Sequence, residues 1–225
     1  MRIRPDEVAF DDDEWLAFLD THDFGQLITA PDASGFPVVV PVHFDLERPA
    51  EPSGPTRVWL HLATNNHAWP LIQADPRVTL AVVGAYTYVP TAWAAVPGQA
   101  PTDGVPTSYY AAVQLRGRAR IIADATETAA VLTRLMRRFQ PEGGHAEVSP
   151  NAGPYAKLLN AIRCAEIEVH DVAAKFKFGG NRTADHQREI AAHLRERGSP
   201  LDVEAADKQL RRLALSPERK QRGSR

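Results

Sequence analysis

Apolar and polar positions alternate with two different periods along this chain, and the switches between them mark the elements. Period-two runs predict strands over 24–29, 36–44, 57–63, 77–84 (continuing irregularly to 90), 109–122 and 162–169. Pro31-Asp32-Ala33-Ser34-Gly35 is dense in turn formers, so the first two strands read as an antiparallel hairpin. Helical spacing follows Asp11-Asp12-Asp13-Glu14, whose acids suit a helix N-terminus. A short helix is predicted over 66–74, with Pro70 tolerable in its first turn. Asp124-Ala125-Thr126-Glu127 resembles a capping box, and the helix after it lines up Val131, Leu132, Leu135, Met136 and Phe139. Further helices are expected over 154–160, over 183–197 with Ile190, Ala191 and Leu194 inward, and over 202–215 after a Gly198-Ser199-Pro200 hinge. Loops are expected over 47–56 and 91–106, and a disordered basic tail over 219–225.

About six antiparallel strands with short turns, and helices attached late, exclude a parallel doubly wound sheet, which needs helical crossovers. The expectation is a β-rich α+β fold, a small closed or split barrel with peripheral and C-terminal helices. The domain reading is 1–197 for the barrel and 198–225 for a C-terminal helix and basic tail.

Composition narrows the function classes. A net charge of −2 gives no general attraction to nucleic acid. No run reaches the length of a membrane span, and the N-terminus lacks the apolar core of a signal peptide, so the expectation is a cytoplasmic protein that does not enter a membrane. Cys164 is the single cysteine; it excludes an intrachain disulfide and reads as a buried structural thiol. The eight histidines show no metal-ligand spacing, so no metal site is expected.

Two segments could hold an anion. In Lys175-Phe176-Lys177-Phe178-Gly179-Gly180-Asn181-Arg182, strand alternation points both ammonium groups one way and both rings the other. Gly179-Gly180 lets the backbone approach closely, and Asn181 and Arg182 add donors. The bland alternative is a solvated strand face over two core phenylalanines. In His61-Leu62-Ala63-Thr64-Asn65-Asn66-His67-Ala68-Trp69, a strand runs into a helix start, where unpaired N–H groups attract phosphate. Thr64, Asn65, Asn66 and His67 add donors there; the alternative is an Asn N-cap with Trp69 filling the core. Tyr86, Tyr88 and Trp93 could stack on a ring or pack a dimer seam. Arg116, Arg118 and Arg120 form a basic stripe, and His43 and the His145/Glu147 loop rank lower as sites.

These segments also carry a resemblance. His61, Ala63, Asn66 and Trp69 match a His-x-Ala-x-x-Asn-x-x-Trp motif of the PaiB-like FMN-binding proteins, and Lys175 to Arg182 resembles their Lys-Phe-Lys-Leu-Ser-Gln-Asn-Arg signature. Phe24-Gly25-Gln26-Leu27, Tyr88 to Trp93 and Val105 to Gly117 resemble three further family blocks, in order, over about residues 1–195. The resemblance implies a flavin split barrel related to the pyridoxamine-phosphate oxidases, with FMN as cofactor; F420 or haem, used by other split-barrel relatives, stay open. It implies cofactor contacts at His61, Thr64, Asn65, Asn66, His67, Tyr88, Trp93, Lys175, Lys177, Asn181 and Arg182, with no catalytic residue assigned. It further implies a homodimer, and a role as a negative transcriptional regulator or flavin-dependent sensor. The alternatives are a flavin-dependent oxidoreductase and a scaffold that has lost its cofactor. DNA is a possible partner through Lys208, Arg211, Arg212 and the tail. Thr64, Ser108, Tyr109 and Gln114 depart from the family pattern, leaving fewer charges for a phosphate.

Overall fold

Alternating burial builds seven strands in this computed structural model, which describes residues 1–49, 51 and 54–222. In chain order the elements are α1 (Asp12–Thr21), β1 (Phe24–Pro31), β2 (Pro37–His43), β3 (Asp45–Glu47), β4 (Arg57–Ala63), α2 (Ala68–Ala74), β5 (Arg77–Val89), α3 (Thr91–Ala94), β6 (Thr107–Ile122), α4 (Ala125–Phe139), α5 (Tyr155–Leu158), β7 (Ile162–Lys177), α6 (Ala184–Arg197) and α7 (Pro200–Arg222). The strands form one antiparallel sheet that does not close, in the order β2-β1-β5-β6-β7-β4-β3. The fold is mixed α+β, as expected, with one strand more than the sequence suggested.

The chain divides into two compact units: Leu16–Val82 with Gln114–Ala173, and Met1–Trp15 with Val83–Val113 and Ala174–Arg225. Helix α7 falls in the second of these. Strands β5, β6 and β7 each contribute residues to both.

In the unit containing β4, the hairpin β1–β2 turns at Gly35, whose φ of 85° suits glycine. Leu27 pairs with Leu80 across β1 and β5, and Val58 with Ile167 across β4 and β7. These side chains share one face and are fully buried with Leu60 and Leu115. On the opposite face of β4 and β7, α4 packs Val131 and Leu135 against Ile122, Cys164 and the partly buried Trp59. Asp124 starts α4 as its composition implied, accepting from the Thr126 and Glu127 amides. Gly117 permits the approach of β6 to β7: a Cβ there would collide with the Glu168 carbonyl oxygen.

In the other unit, α6 ends at Gly198 in the left-handed conformation, φ 75°, and the chain reverses into α7. Ile190, Ala191 and Leu194 are buried as predicted. Arg197 bonds the Asp202 carboxylate and the Tyr88 carbonyl, and the Thr87 hydroxyl also reaches Asp202. The N-terminal segment lies beside the end of β7, with Val8 bridged to Lys175 and the Phe176 amide donating to the Glu7 carbonyl at 2.7 Å.

Four boundaries differ from the sequence reading. Residues 162–177 make one continuous strand because β7 pairs with β4 at one end and with the N-terminal segment at the other. The loop expected over 91–106 contains α3 and a 3-10 turn at Pro101–Asp103. The short strand β3 lies where only a strand end and a loop were read; within that loop, residues 50, 52 and 53 lie outside the described residues. Helix α7 continues through Pro217 to Arg222, so part of the expected disordered tail is helical; its last residues, 223–225, are outside the described residues.

Candidate functional site

The turn after β4 is built by its own hydrogen bonds. The Asn66 side chain accepts from the Ala68 amide at 2.9 Å, and its backbone amide donates to the Ala63 carbonyl at 3.0 Å. The Trp69 indole donates to the same carbonyl at 2.8 Å, with its ring buried. Asn66 thus braces the turn ahead of α2, whose N-cap position is His67, and Trp69 fills the core. The Thr64 amide is occupied by the Ala161 carbonyl, while Asn65 and His67 are exposed. His61, half-buried and paired with Cys164 across the ladder, has a buried Nδ1 without a hydrogen-bond partner. Burial lowers its pKa, and the nearby His43 adds to the effect, so its imidazole is held neutral. A neutral imidazole with a free ring nitrogen can either give or accept a hydrogen bond.

The second candidate lies in the other unit. Lys175 is buried and ion-paired with Glu7 at 3.2 Å, and donates to the Arg2 carbonyl at 2.9 Å. Burial opposes both charges, yet the Arg4 amide and Lys175 hold the Glu7 carboxyl below its ordinary value. Burial would likewise lower the Lys175 ammonium, but Tyr110 and Glu7 carry it above its usual range. Lys177 donates to the Thr107 hydroxyl at 2.6 Å. Both ammonium groups stand over the Tyr110 ring, at 5.3 and 6.0 Å from its centroid, so the two lysines do share a side. Phe176 and Phe178 are in the core.

Arg182 is aimed by Ala94, whose carbonyl accepts from Nη1 at 2.8 Å, and His186 lies 3.4 Å from the same nitrogen. Asn181 is exposed beside it. Lys177, Asn181 and Arg182 line one cavity of about 210 Å³ with Arg4, Thr107 and Tyr109. Lys175 does not line it but is ion-paired with Glu7, which does, as does Asp6. Tyr109, Arg4 and Glu7 are lining residues that the sequence reading did not assign to a site. The buried Tyr109 hydroxyl has the side chains of Arg182 and Gln209 beside it; burial raises its pKa, and both neighbours work in the opposite direction. The Thr107-Ser108-Tyr109 alternation was the available signal. Arg4 and Glu7 gave none, since only the fold brings them to β7.

Tyr86 and Tyr88 are exposed on β5. Trp93 is engaged within its unit, stacked on His193 at 5.1 Å between centroids and capped by Arg197 at 4.8 Å. Arg116 and Arg120 of the basic stripe are ion-paired, with Asp171 and with Glu127 and Glu166. His43 packs against Phe24 and Phe139. Among the described residues there is no cluster of His, Cys, Asp or Glu able to hold a metal, and no helix long and apolar enough to cross a membrane.

A family described as "Putative FMN-binding domain" matches residues 1–171. No curated protein matches. Among solved structures, the flavocytochrome Anf3 of Azotobacter vinelandii is similar at 20% identity and a TM-score of 0.56, over 76% of this chain and 70% of that one. An FAD and heme binding protein of Mycobacterium smegmatis is similar at 18% identity and a TM-score of 0.56, over 82% of this chain and 78% of that one. Likeness at these identities bears on the fold, which is that of the flavin-binding split barrels.

Proposed function

The chain belongs to this family of FMN-binding domains, with FMN as its cofactor, and we propose that it is a PaiB-type flavin-dependent sensor acting as a homodimer. The observation that carries the reading is the family match over residues 1–171, which includes the His61–Trp69 turn. The donors present fit the group. The Thr64 hydroxyl, the Asn65 amide and His67 can serve a phosphate, and the neutral, unpartnered His61 can bond a polar edge of a ligand. In the other unit, Tyr88 is exposed and Trp93 is held by His193 and Arg197. Bound flavin supplies one- and two-electron chemistry, and the protein's part is position and electrostatics.

The regulatory half of the reading rests on sensing more than on direct DNA contact. Of the basic residues on α7, Arg212 is buried, ion-paired with Glu14, donates to the Val8 carbonyl and covers the Phe10 ring at 4.1 Å. Lys208 also has an interaction partner. The homodimer reading is supported by Val83, Tyr86 and Tyr88, which leave large apolar surface exposed along one strand.

Purified full-length protein is expected to carry, or to take up, FMN with the yellow absorbance of oxidised flavin. Protein that is colourless and takes up no FMN sinks the proposal. DNA binding measured across salt tests the direct-contact alternative, because phosphate contacts require a salt-dependent affinity.

A further inference from the structure

We propose that the groove between α4 and the β3–β4 end of the sheet is a binding site for a small aromatic carboxylate, with Arg137 and Arg138 holding its charge. The groove shares no residue with the implied cofactor contacts, and the proposal does not rest on the flavin reading. Its walls follow from helix and strand geometry. On α4, Glu127, Ala130, Val131, Arg134, Arg137 and Arg138 recur at steps of three and four and so fall along one side. Opposite them stand Asp45 of β3 and Trp59 of β4, which are partners across the ladder. The space between is about 730 Å³, within the ~300–1,000 Å³ of pockets that take small organic ligands.

The charges along the groove fall into a matched set and an unmatched pair. Arg134 is fixed by two carboxylates: Nε donates to Asp45 and Nη1 to Glu47, each at 2.5 Å. The Trp59 indole donates to the same Glu47 oxygen at 3.1 Å, and the Arg134 guanidinium stands 5.7 Å from the Trp59 ring centroid. Glu127, at the other end of α4, is ion-paired with Arg120. Arg137 and Arg138 have no such carboxylate. Arg138 gives Nη2 to the Asp20 carbonyl, and Arg137 has no ion pair or hydrogen bond among the described residues. A basic last turn complements the α4 dipole, but that alone requires neither a groove nor a tryptophan locked in place beside it.

The donor set and the wall together select the ligand. A guanidinium presents parallel N–H groups that match the two oxygens of a carboxylate. Trp59, Ala130 and Val131 offer an aromatic and aliphatic surface for a flat apolar body. The acids in the groove, Asp45 and Glu127, are already neutralised by Arg134 and Arg120, so they do not cancel the attraction at the Arg137 end. An added peptide strand is disfavoured, because the neighbouring edge strand β3 has only three residues on which to build a ladder.

Calorimetric titration of the full-length protein, with and without saturating FMN, tests the site. Three probes separate its parts: naphthoate carries ring and charge, naphthamide the ring alone, and acetate the charge alone. Naphthoate should bind at least about tenfold more tightly than either of the others. The double variant Arg137→Gln/Arg138→Gln should weaken naphthoate by about tenfold and leave naphthamide unchanged. Trp59→Leu should weaken naphthoate and naphthamide alike, with thermal melts confirming that it is folded; the exposed arginine variants test the site without touching the core. Saturating FMN should leave naphthoate binding unchanged. The proposal is overturned if wild-type protein does not bind naphthoate, if the arginine double variant binds it as tightly as wild type, or if acetate or naphthamide binds equally well. Displacement of naphthoate by FMN would place the probe in the cofactor site and overturn it too.

Discussion

At the scale of single residues, burial assigns roles that residue type left open. Cys164 is fully buried and its thiol is pushed up to about 12 by desolvation, reinforced by the Glu127 charge. The thiolate is the reactive form, so native protein should not react with a chromogenic thiol reagent until it is denatured. Reaction of the folded protein at the rate of a free thiol would contradict this. Lys175 and Glu7 show the opposite case, a charge pair that the interior tolerates only together. Glu7→Gln leaves the Lys175 ammonium without its counter-ion and should lower unfolding stability by about 3 kcal/mol. Replacing both residues with apolar side chains of similar length should cost less, and denaturant melts of the single and double variants measure the difference. Of the two lysines, the sequence revealed their shared side through strand period. It could not reveal that one is consumed by Glu7, because that partner arrives from about 170 residues away.

At the scale of elements, strand β5 illustrates what alternation conveys and where it stops. Burial alternates from Val78 to Gly84, then breaks at the adjacent buried pair Gly84 and Ala85, and resumes with Tyr86 and Tyr88 outward. Ala85 has φ 51°, the one positive value for a non-glycine among the described residues. This extra residue behaves as a bulge and resets which side chains face out. The sequence showed the irregularity after Gly84 but not its cause, since alanine rarely adopts this conformation. Ala85→Gly should therefore be neutral or stabilising by up to ~1 kcal/mol, a loss of side-chain packing being offset by relief of the left-handed backbone. Gly117→Ala should do the reverse. Its methyl group would meet the Glu168 carbonyl where β6 passes β7, so a loss of about 3 kcal/mol is expected from thermal melts. Helix α6 was legible almost to the residue because Thr183 caps it, Gly198 ends it and its apolar spacing is regular. Strand β7 was not legible as one strand, because its length depends on partners at both ends that lie far apart in sequence.

At the scale of the whole molecule, the sheet and the family were readable because ordered motifs survive on a β-rich chain, while the candidate sites depend on long-range neighbours such as Arg4 and Glu7. Those neighbours also set how the molecule should respond to acid. Asp202 sits below the usual carboxylate range, chiefly through its bonds to Arg197, with Thr87 and Ser199 assisting against the cost of burial. Glu7 is also depressed, by the Arg4 amide and Lys175 acting against burial. A carboxylate whose folded pKa lies below its unfolded value binds its proton more readily when the chain is unfolded. Its contribution is therefore fully present above the ordinary values of 3.8 for Asp202 and 4.5 for Glu7, and is lost as pH falls through the folded values. Stability should accordingly be flat with respect to these two groups near neutrality and decline below about pH 4.5. Asp202→Asn removes one of the two. It should be less stable than the parent at neutral pH, with the gap narrowing as pH falls, because protonation of the parent's carboxyl abolishes the same ion pair with Arg197. Urea melts of both proteins at a series of pH values give the curves. A gap that stays constant down to the acid transition would show that the Arg197–Asp202 pair contributes through shape and hydrogen bonding alone, and not through charge.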